Sequence, residues 1–75
     1  SLTRSEFQLL RLLAARPGEV FARAQIMEEL WQTEFDGDER ACDVHISNLR
    51  QKIETDAQRP ELIQTVRGIG YKFAE

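Results

Sequence analysis

The chain has 75 residues, enough for one small domain but not for two with separate cores. Its single cysteine excludes an internal disulfide, and no apolar run approaches the roughly 18 residues of a membrane helix, so we expect a soluble, intracellular protein. The net charge of −3 argues against a nucleic-acid partner, but residues 1–39 carry four basic and eight acidic side chains, whereas residues 40–75 carry six and five. A DNA-binding surface would therefore have to lie in the second half.

The first predicted helix begins with a capping box, in which Thr3 is followed three residues later by Glu6. Helical spacing then predicts one core-facing stripe, formed by Phe7, Leu9, Leu10, Leu13 and Ala14. Pro17-Gly18 ends this helix, and residues 19–21 are long enough only for a single edge strand.

A second helix is predicted over Arg23–Trp31, with an inner face of Ile26, Met27, Leu30 and Trp31. The polar segment from Gln32 to Glu39 follows, and its acidic side chains indicate either a solvated loop or a contact surface. Asp38 and Glu39 also suit the start of the next helix, because carboxylates there satisfy free N–H groups and complement the helix dipole.

The third predicted helix, about Arg40 to Glu54, carries a narrow apolar seam of Cys42, Ile46, Leu49 and Ile53. Cys42 is interpreted as a small buried hydrophobe rather than a reactive thiol. The opposite face presents Arg40, Ala41, Val44, Ser47, Asn48 and Gln51. One flank carries Asp43 and Arg50, and the other carries His45 and Lys52. The helix thus buries one stripe and exposes hydrogen-bonding groups bordered by cations.

Two short β-favouring runs, Leu62–Val66 and Tyr71–Phe73, surround Arg67-Gly68-Ile69-Gly70, where the glycines allow the positive φ angles of a tight hairpin. The predicted fold is α+β, with three helices and a C-terminal β-hairpin. We predict no catalysis, no cofactor and no metal, because the only His and the only Cys do not stand at a metal-ligand spacing. The glycines lie between strands, whereas a phosphate-binding loop would open a helix.

The exposed face of the third helix suits the major groove of DNA. Asn48 and Gln51 could pair with adenine, and Val44 and Ala41 could meet a thymine methyl. Phosphate contacts are expected from Arg40, Arg50 and Lys52, and Arg67 could enter a minor groove. Each residue also has a structural alternative: Asn48 could be solvated, Arg50 could pair with Asp43, Arg67 could be a turn arginine, and His45 could pack against the domain.

Residues 40–53 read RACDVHISNLRQKI and resemble the recognition helix of OmpR/PhoB-type response regulators, R-x-x-D-x-H-I-x-x-L-R-x-K. Residues 63–73 read IQTVRGIGYKF and resemble the wing of the same family, I-x-T-V-R-G-x-G-Y-x-F. Upstream, Leu2-Thr3, Glu6-Phe7, Leu9-Leu10, Arg23 and Trp31 match its first two helices. The resemblance implies a winged helix-turn-helix that binds double-stranded DNA as the output domain of a bacterial two-component system, in a cytoplasmic, nucleoid-associated protein.

Positions carried over from the family imply that Val44, Ser47 and Asn48 read bases and that Arg67 reaches the minor groove. Backbone contacts are implied for Trp31, Arg40, His45, Arg50 and Thr65. The loop from Gln32 to Glu39, with Glu34 and Asp36, matches a segment that meets RNA polymerase in several relatives. The resemblance also implies direct-repeat half-sites, head-to-tail pairs on DNA, and a receiver domain and sensor kinase acting through the full-length protein.

Two departures from the family pattern qualify these expectations. Many relatives carry arginine or lysine where this chain has Ser47 and Asn48, so the base preference cannot be copied across. Ser1 replaces an initiator Met, and the family's receiver domain and N-terminal four-stranded sheet are missing, which suggests a fragment of a longer protein. The acidic first half and the pI near 5.1 keep one alternative open, a winged-helix module for protein contact.

Overall fold

A computed structural model describes residues 1–31 and 40–75, except for the side chain of Trp31. The predictions made for Trp31 as a DNA contact and for Glu34, Asp36, Asp38 and Glu39 therefore lie outside the described residues. Within them, the elements are α1 (Arg4–Ala14), β1 (Phe21–Ala22), α2 (Arg23–Trp31), α3 (Arg40–Ile53), β2 (Ile63–Val66) and β3 (Gly70–Phe73). The predicted α+β architecture of three helices and a C-terminal hairpin is confirmed.

The sheet is larger than the predicted hairpin. Both β1 and β2 pair antiparallel with β3, which gives the strand order β1-β3-β2. Phe21 lies opposite Tyr71 in one pair, and Thr65 lies opposite Tyr71 in the other. The predicted edge strand is therefore confirmed, but it covers Phe21–Ala22 rather than residues 19–21, and it adds a third strand to the sheet.

The capping box of α1 is confirmed, since the N–H of Glu6 donates to Thr3 Oγ1 at 3.2 Å and the N–H of Thr3 donates to Glu6 Oε1 at 2.9 Å. The predicted core face of α1 is wrong in one respect: Phe7 is 55% exposed, whereas Glu6, Leu9 and Leu13 are buried. The cause is a contact with α3, because the Glu6 carboxylate turns inward to meet Lys52.

The core lies where the three helices meet the sheet. The predicted seam of α3 is confirmed, since Cys42, Ile46 and Leu49 are buried and Ile53 packs against them. The other buried apolar side chains come from all the remaining elements: Leu9, Leu13, Phe21, Ile26, Met27, Ile63 and Tyr71. Burying one such Leu or Ile contributes about 1.5–3 kcal/mol. This packing fixes which face of α3 remains outside.

Two hairpin glycines serve different purposes. Gly68 has a φ of 78° and allows the tight turn, as predicted. Gly70 does not have a positive φ; instead, a Cβ at this position would lie 1.9 Å from the carbonyl oxygen of Phe21. Gly70 is therefore required by the close approach of β1 to β3.

Across residues 1–31 and 40–75, none of the helices combines the length and the apolar character needed to cross a membrane.

Candidate nucleic-acid interface

The outer face of α3 is open to solvent along its length. Val44 is 58% exposed, and Arg40, Ser47, Asn48 and Gln51 are also exposed. Ala41 differs from the prediction, because it is only partly exposed and packs against the core. The face offers an amide pair, a hydroxyl and a branched apolar group, the groups that recognise base edges in a major groove.

Asp43 joins α3 to two other elements. Its Oδ2 accepts a hydrogen bond from Arg23 Nη1 on α2 at 2.9 Å, and its Oδ1 accepts one from the Tyr71 hydroxyl on β3 at 2.6 Å. Burial of the ring, followed by this bond to Asp43, raises the pKa of Tyr71 well above its usual range. The hydroxyl thus stays protonated and keeps donating. The predicted alternative of an Arg50–Asp43 pair is replaced by these contacts.

Arg50 is bound to the wing. Its Nε and Nη2 both donate to the carbonyl oxygen of Ile63, at 3.1 and 2.6 Å, and Nη2 also donates to Thr65 Oγ1 at 3.0 Å. The guanidinium carbon lies 5.3 Å from the centroid of the Tyr71 ring, within cation–π range. Arg50 and Thr65, which were each predicted to contact the DNA backbone, therefore contact each other.

Glu54, which no sequence pattern singled out, is bound to the chain that leads into β2. Its carboxylate accepts hydrogen bonds from the backbone N–H groups of Glu61, Leu62 and Ile63, at 2.8–3.1 Å. Burial alone would raise the pKa of Glu54, but the N–H donors, led by that of Ile63, outweigh burial and hold this pKa below its usual value. The available signal was its position, one turn after Arg50.

Lys52, expected to contact a phosphate, is exposed and instead pairs with Glu6 on α1. Its ammonium donates to Glu6 Oε1 at 2.6 Å, and the Glu6 side chain is only 7% exposed. The bond from Lys52 and the N–H of Thr3 lower the pKa of Glu6. Because 46 residues separate the two partners, no local pattern predicts the pair.

The wing lies beside the flank of α3 that carries Asp43 and Arg50. Arg67, Gly68 and Ile69 are exposed at its tip, with Ile69 at 57%. A shallow cavity of about 170 Å³ separates this tip from α3 and is lined by Arg23, Asp43, Thr65, Val66, Gly68, Ile69, Gly70 and Tyr71. The structure therefore brings Val44, Ser47, Asn48 and Arg40 onto the helix face, with Thr65 and Arg67 on the adjoining wing. His45 is half-buried on the other flank.

In the described part of the chain, no three His, Cys, Asp or Glu side chains cluster closely enough to hold a metal ion.

Comparison with known proteins places this geometry among related domains. Residues 1–73 match the family described as "Transcriptional regulatory protein, C terminal". A probable transcriptional regulator, ycf27 of Guillardia theta, is 53% identical over an alignment of 74 residues that covers 96% of this chain and 29% of that protein. The chain thus spans about a third or less of the length of such relatives.

Solved structures give the same picture. The response regulator DrrB of Thermotoga maritima, an OmpR/PhoB homologue, superimposes with a TM-score of 0.90 at 35% identity over 100% of this chain and 34% of its own. The DNA-binding domain of RstA from Klebsiella pneumoniae, in complex with the RstA box, gives a TM-score of 0.87 at 38% identity. That match covers 99% of this chain and 73% of the RstA chain.

Proposed function

The chain belongs to the family of C-terminal domains of transcriptional regulatory proteins, of the OmpR/PhoB response-regulator type, and from this premise we propose that it binds double-stranded DNA in a sequence-specific manner. It would do so as the output domain of a two-component response regulator, without catalysis or a cofactor. The observation that carries the proposal is the outer face of α3, where Val44, Ser47 and Asn48 are exposed while Cys42, Ile46 and Leu49 anchor the opposite face.

In the proposed complex, α3 enters the major groove. The Asn48 amide pairs with an adenine edge, Ser47 donates or accepts one hydrogen bond, and Val44 contacts a thymine methyl. Arg67 at the wing tip enters the neighbouring minor groove, where a narrow groove attracts a cation.

Contacts to the sugar-phosphate backbone hold α3 in register. We assign these to Trp31, the last residue of α2, to Arg40 and His45 on α3, and to Thr65 on the wing. Arg50 belongs to the same set by position, but its hydrogen bonds to the wing give it a different principal role. The net charge of −3 and the uncharged Ser47 and Asn48 predict a modest electrostatic contribution.

The remaining partners act through the full-length protein. We propose binding as head-to-tail pairs on direct-repeat half-sites, under the control of a receiver domain and its sensor kinase. RNA polymerase is a further proposed partner, through Glu34 and Asp36. Changing both residues to their amides should reduce transcription activation and leave DNA binding unchanged; weaker DNA binding would contradict this role.

Salt dependence tests the proposed binding mode. Duplexes selected from a random pool are titrated with the chain at increasing salt. The arginine contacts proposed here, from Arg40 and Arg67, predict a log–log slope of about −2 for one bound copy, since each contributes about −0.9. No retention of any duplex at low salt, together with binding to a protein partner, would instead establish the protein-contact alternative.

A single substitution tests the base-reading face. Asn48→Ala should relax the preference at one base pair by about 1–3 kcal/mol, because the amide contact is bidentate. The matched control is Gln58→Ala, which removes an exposed amide in the connection after α3 and should leave the preference intact. Unchanged preference in Asn48→Ala would remove this residue from the interface.

A further inference from the structure

We propose that Arg50 and Glu54 form a clamp that sets the position of the wing relative to α3 and thereby decides where Arg67 meets the minor groove. This inference rests on the proposed DNA binding and deepens it. Arg50 would then be a positioning residue, whose main partner is the wing rather than a phosphate. We call the pair the helix–wing clamp.

The clamp holds one residue of β2 from both sides. Arg50 and Glu54 lie one helical turn apart, and the N–H of Glu54 donates to the carbonyl oxygen of Arg50 at 2.9 Å. The Arg50 guanidinium binds the carbonyl oxygen of Ile63, and the Glu54 carboxylate binds the N–H of the same residue at 2.8 Å. Because Ile63 is buried, its peptide groups depend on these partners.

The orientation of β2 determines the position of the wing tip, because the tip follows β2 directly in the chain. Thr65, the second contact of Arg50, lies two residues before Arg67. Thr65 pairs with Tyr71, and the next pair, Val66 with Gly70, is the last before the turn. The tip therefore has few degrees of freedom beyond those that the clamp fixes.

The second strand of the wing is tied to α3 as well. The Tyr71 ring lies beside the guanidinium of Arg50, and its hydroxyl donates to Asp43, seven residues before Arg50 on the same flank of α3. Both β2 and β3 are therefore bonded to α3, and these contacts join the helix and the wing into one unit.

The wing contacts occupy most of the Arg50 guanidinium and leave Nη1 for a phosphate. Nε and Nη2 of Arg50 are already engaged with Ile63 and Thr65. A planar guanidinium can aim two N–H groups at one carbonyl while its flat face stacks on a ring, whereas a lysine ammonium is a point charge without that rigid fork or flat face. Arg50→Lys therefore separates the two roles, since it keeps the charge and loses the fork.

The test combines binding with geometry in Arg50→Lys, Arg50→Ala, Arg67→Ala and the double variant Arg50→Ala/Arg67→Ala. On a selected duplex, both Arg50 variants should bind about tenfold more weakly, and the double variant should be within about twofold of the weaker single variant, because residues acting as one unit are not additive. Arg40→Ala/Arg67→Ala is the matched control, and there the two losses should multiply.

Measurements without DNA keep the clamp testable if no duplex is bound. Residual dipolar couplings should show the N–H vectors of β2 and β3 reoriented relative to α3 in Arg50→Lys, and unchanged in Arg40→Ala. Unchanged vectors would overturn the clamp.

The binding assay could also overturn the clamp in favour of a phosphate contact. In that case Arg50→Lys would bind with near-normal affinity, and Arg50→Ala would lower the salt slope by about 0.9. The affinity losses of Arg50→Ala and Arg67→Ala would then multiply in the double variant. If the wild-type chain binds no duplex but the vectors shift, the clamp stands and the proposed DNA binding fails. If Arg50→Ala does not fold, the Arg50→Lys results alone decide.

Discussion

Replacing Glu54 by glutamine isolates the contribution of its carboxylate. The wild-type side chain accepts hydrogen bonds from three backbone N–H groups, at 2.8–3.1 Å. A glutamine oxygen can keep two of these, those of Leu62 and Ile63, but each becomes a neutral bond and loses about 1 kcal/mol. The third N–H, of the exposed Glu61, turns to water. After discounting for solvent exposure, we expect a loss of about 1–2 kcal/mol in the free energy of unfolding.

Thermal unfolding measures this loss. For a domain of this size, 1 kcal/mol shifts Tm by about 4–8 °C, so Glu54→Gln should lower Tm by about 5–15 °C at about pH 7. Glu61→Gln, with the same charge change at an exposed neighbour, should have little effect.

The pH dependence follows from the lowered pKa of Glu54 in the folded state. Its stabilisation is present above the ordinary value of 4.5 and is lost as pH falls through the folded pKa, because the protonated carboxyl no longer binds the N–H groups as an anion. The Tm difference between wild type and Glu54→Gln should therefore shrink in acid. A difference that stays constant from about pH 7 to about pH 3, or one that is absent throughout, would refute the reasoning.

Three other changes test the packing. Gly70→Ala should destabilise the domain far more than Gly68→Ala, because the new Cβ at position 70 would collide with the carbonyl of Phe21. The space at Gly68 is open, and an alanine there loses about 1 kcal/mol because of the positive φ. Equal losses of Tm would contradict the close approach of β1 to β3. Leu49→Ala should lower the free energy of unfolding by about 2–5 kcal/mol in denaturant, and Val44→Ala by less than about 0.5 kcal/mol; similar losses would show that the assigned faces of α3 are wrong. Lys52→Met should destabilise the domain near neutral pH by leaving Glu6 without its cation, and this loss should fade as pH falls through the lowered pKa of Glu6; a loss that does not depend on pH would contradict the ion pair.

Local patterns were sufficient to predict the helices and the seam of α3. The capping box at Thr3 and Glu6 fixes the start of α1, because both partners lie within one turn. The α3 seam follows from helical spacing alone, since Cys42, Ile46 and Leu49 recur on one side. The exposed face of α3 could therefore be identified as its complement.

Contacts between distant segments were not predictable from these patterns. Phe7 appeared to belong to the core because it is apolar, but Glu6 turns inward to reach Lys52, 46 residues away. The same applies to the wing, where Arg50 binds Ile63 and Thr65, and Tyr71 binds Asp43. A sequence pattern gives each partner's character, whereas the pairing depends on the assembled fold.

The most direct test of the proposed DNA-binding mode is a titration of the isotope-labelled chain with a selected duplex, followed by amide chemical shifts. We predict the largest changes at Val44, Ser47 and Asn48 on α3 and at Gly68 on the wing tip, with little change at Arg4 and Arg11 on the outer side of α1. Changes concentrated on α1, with the outer face of α3 unaffected, would contradict the account.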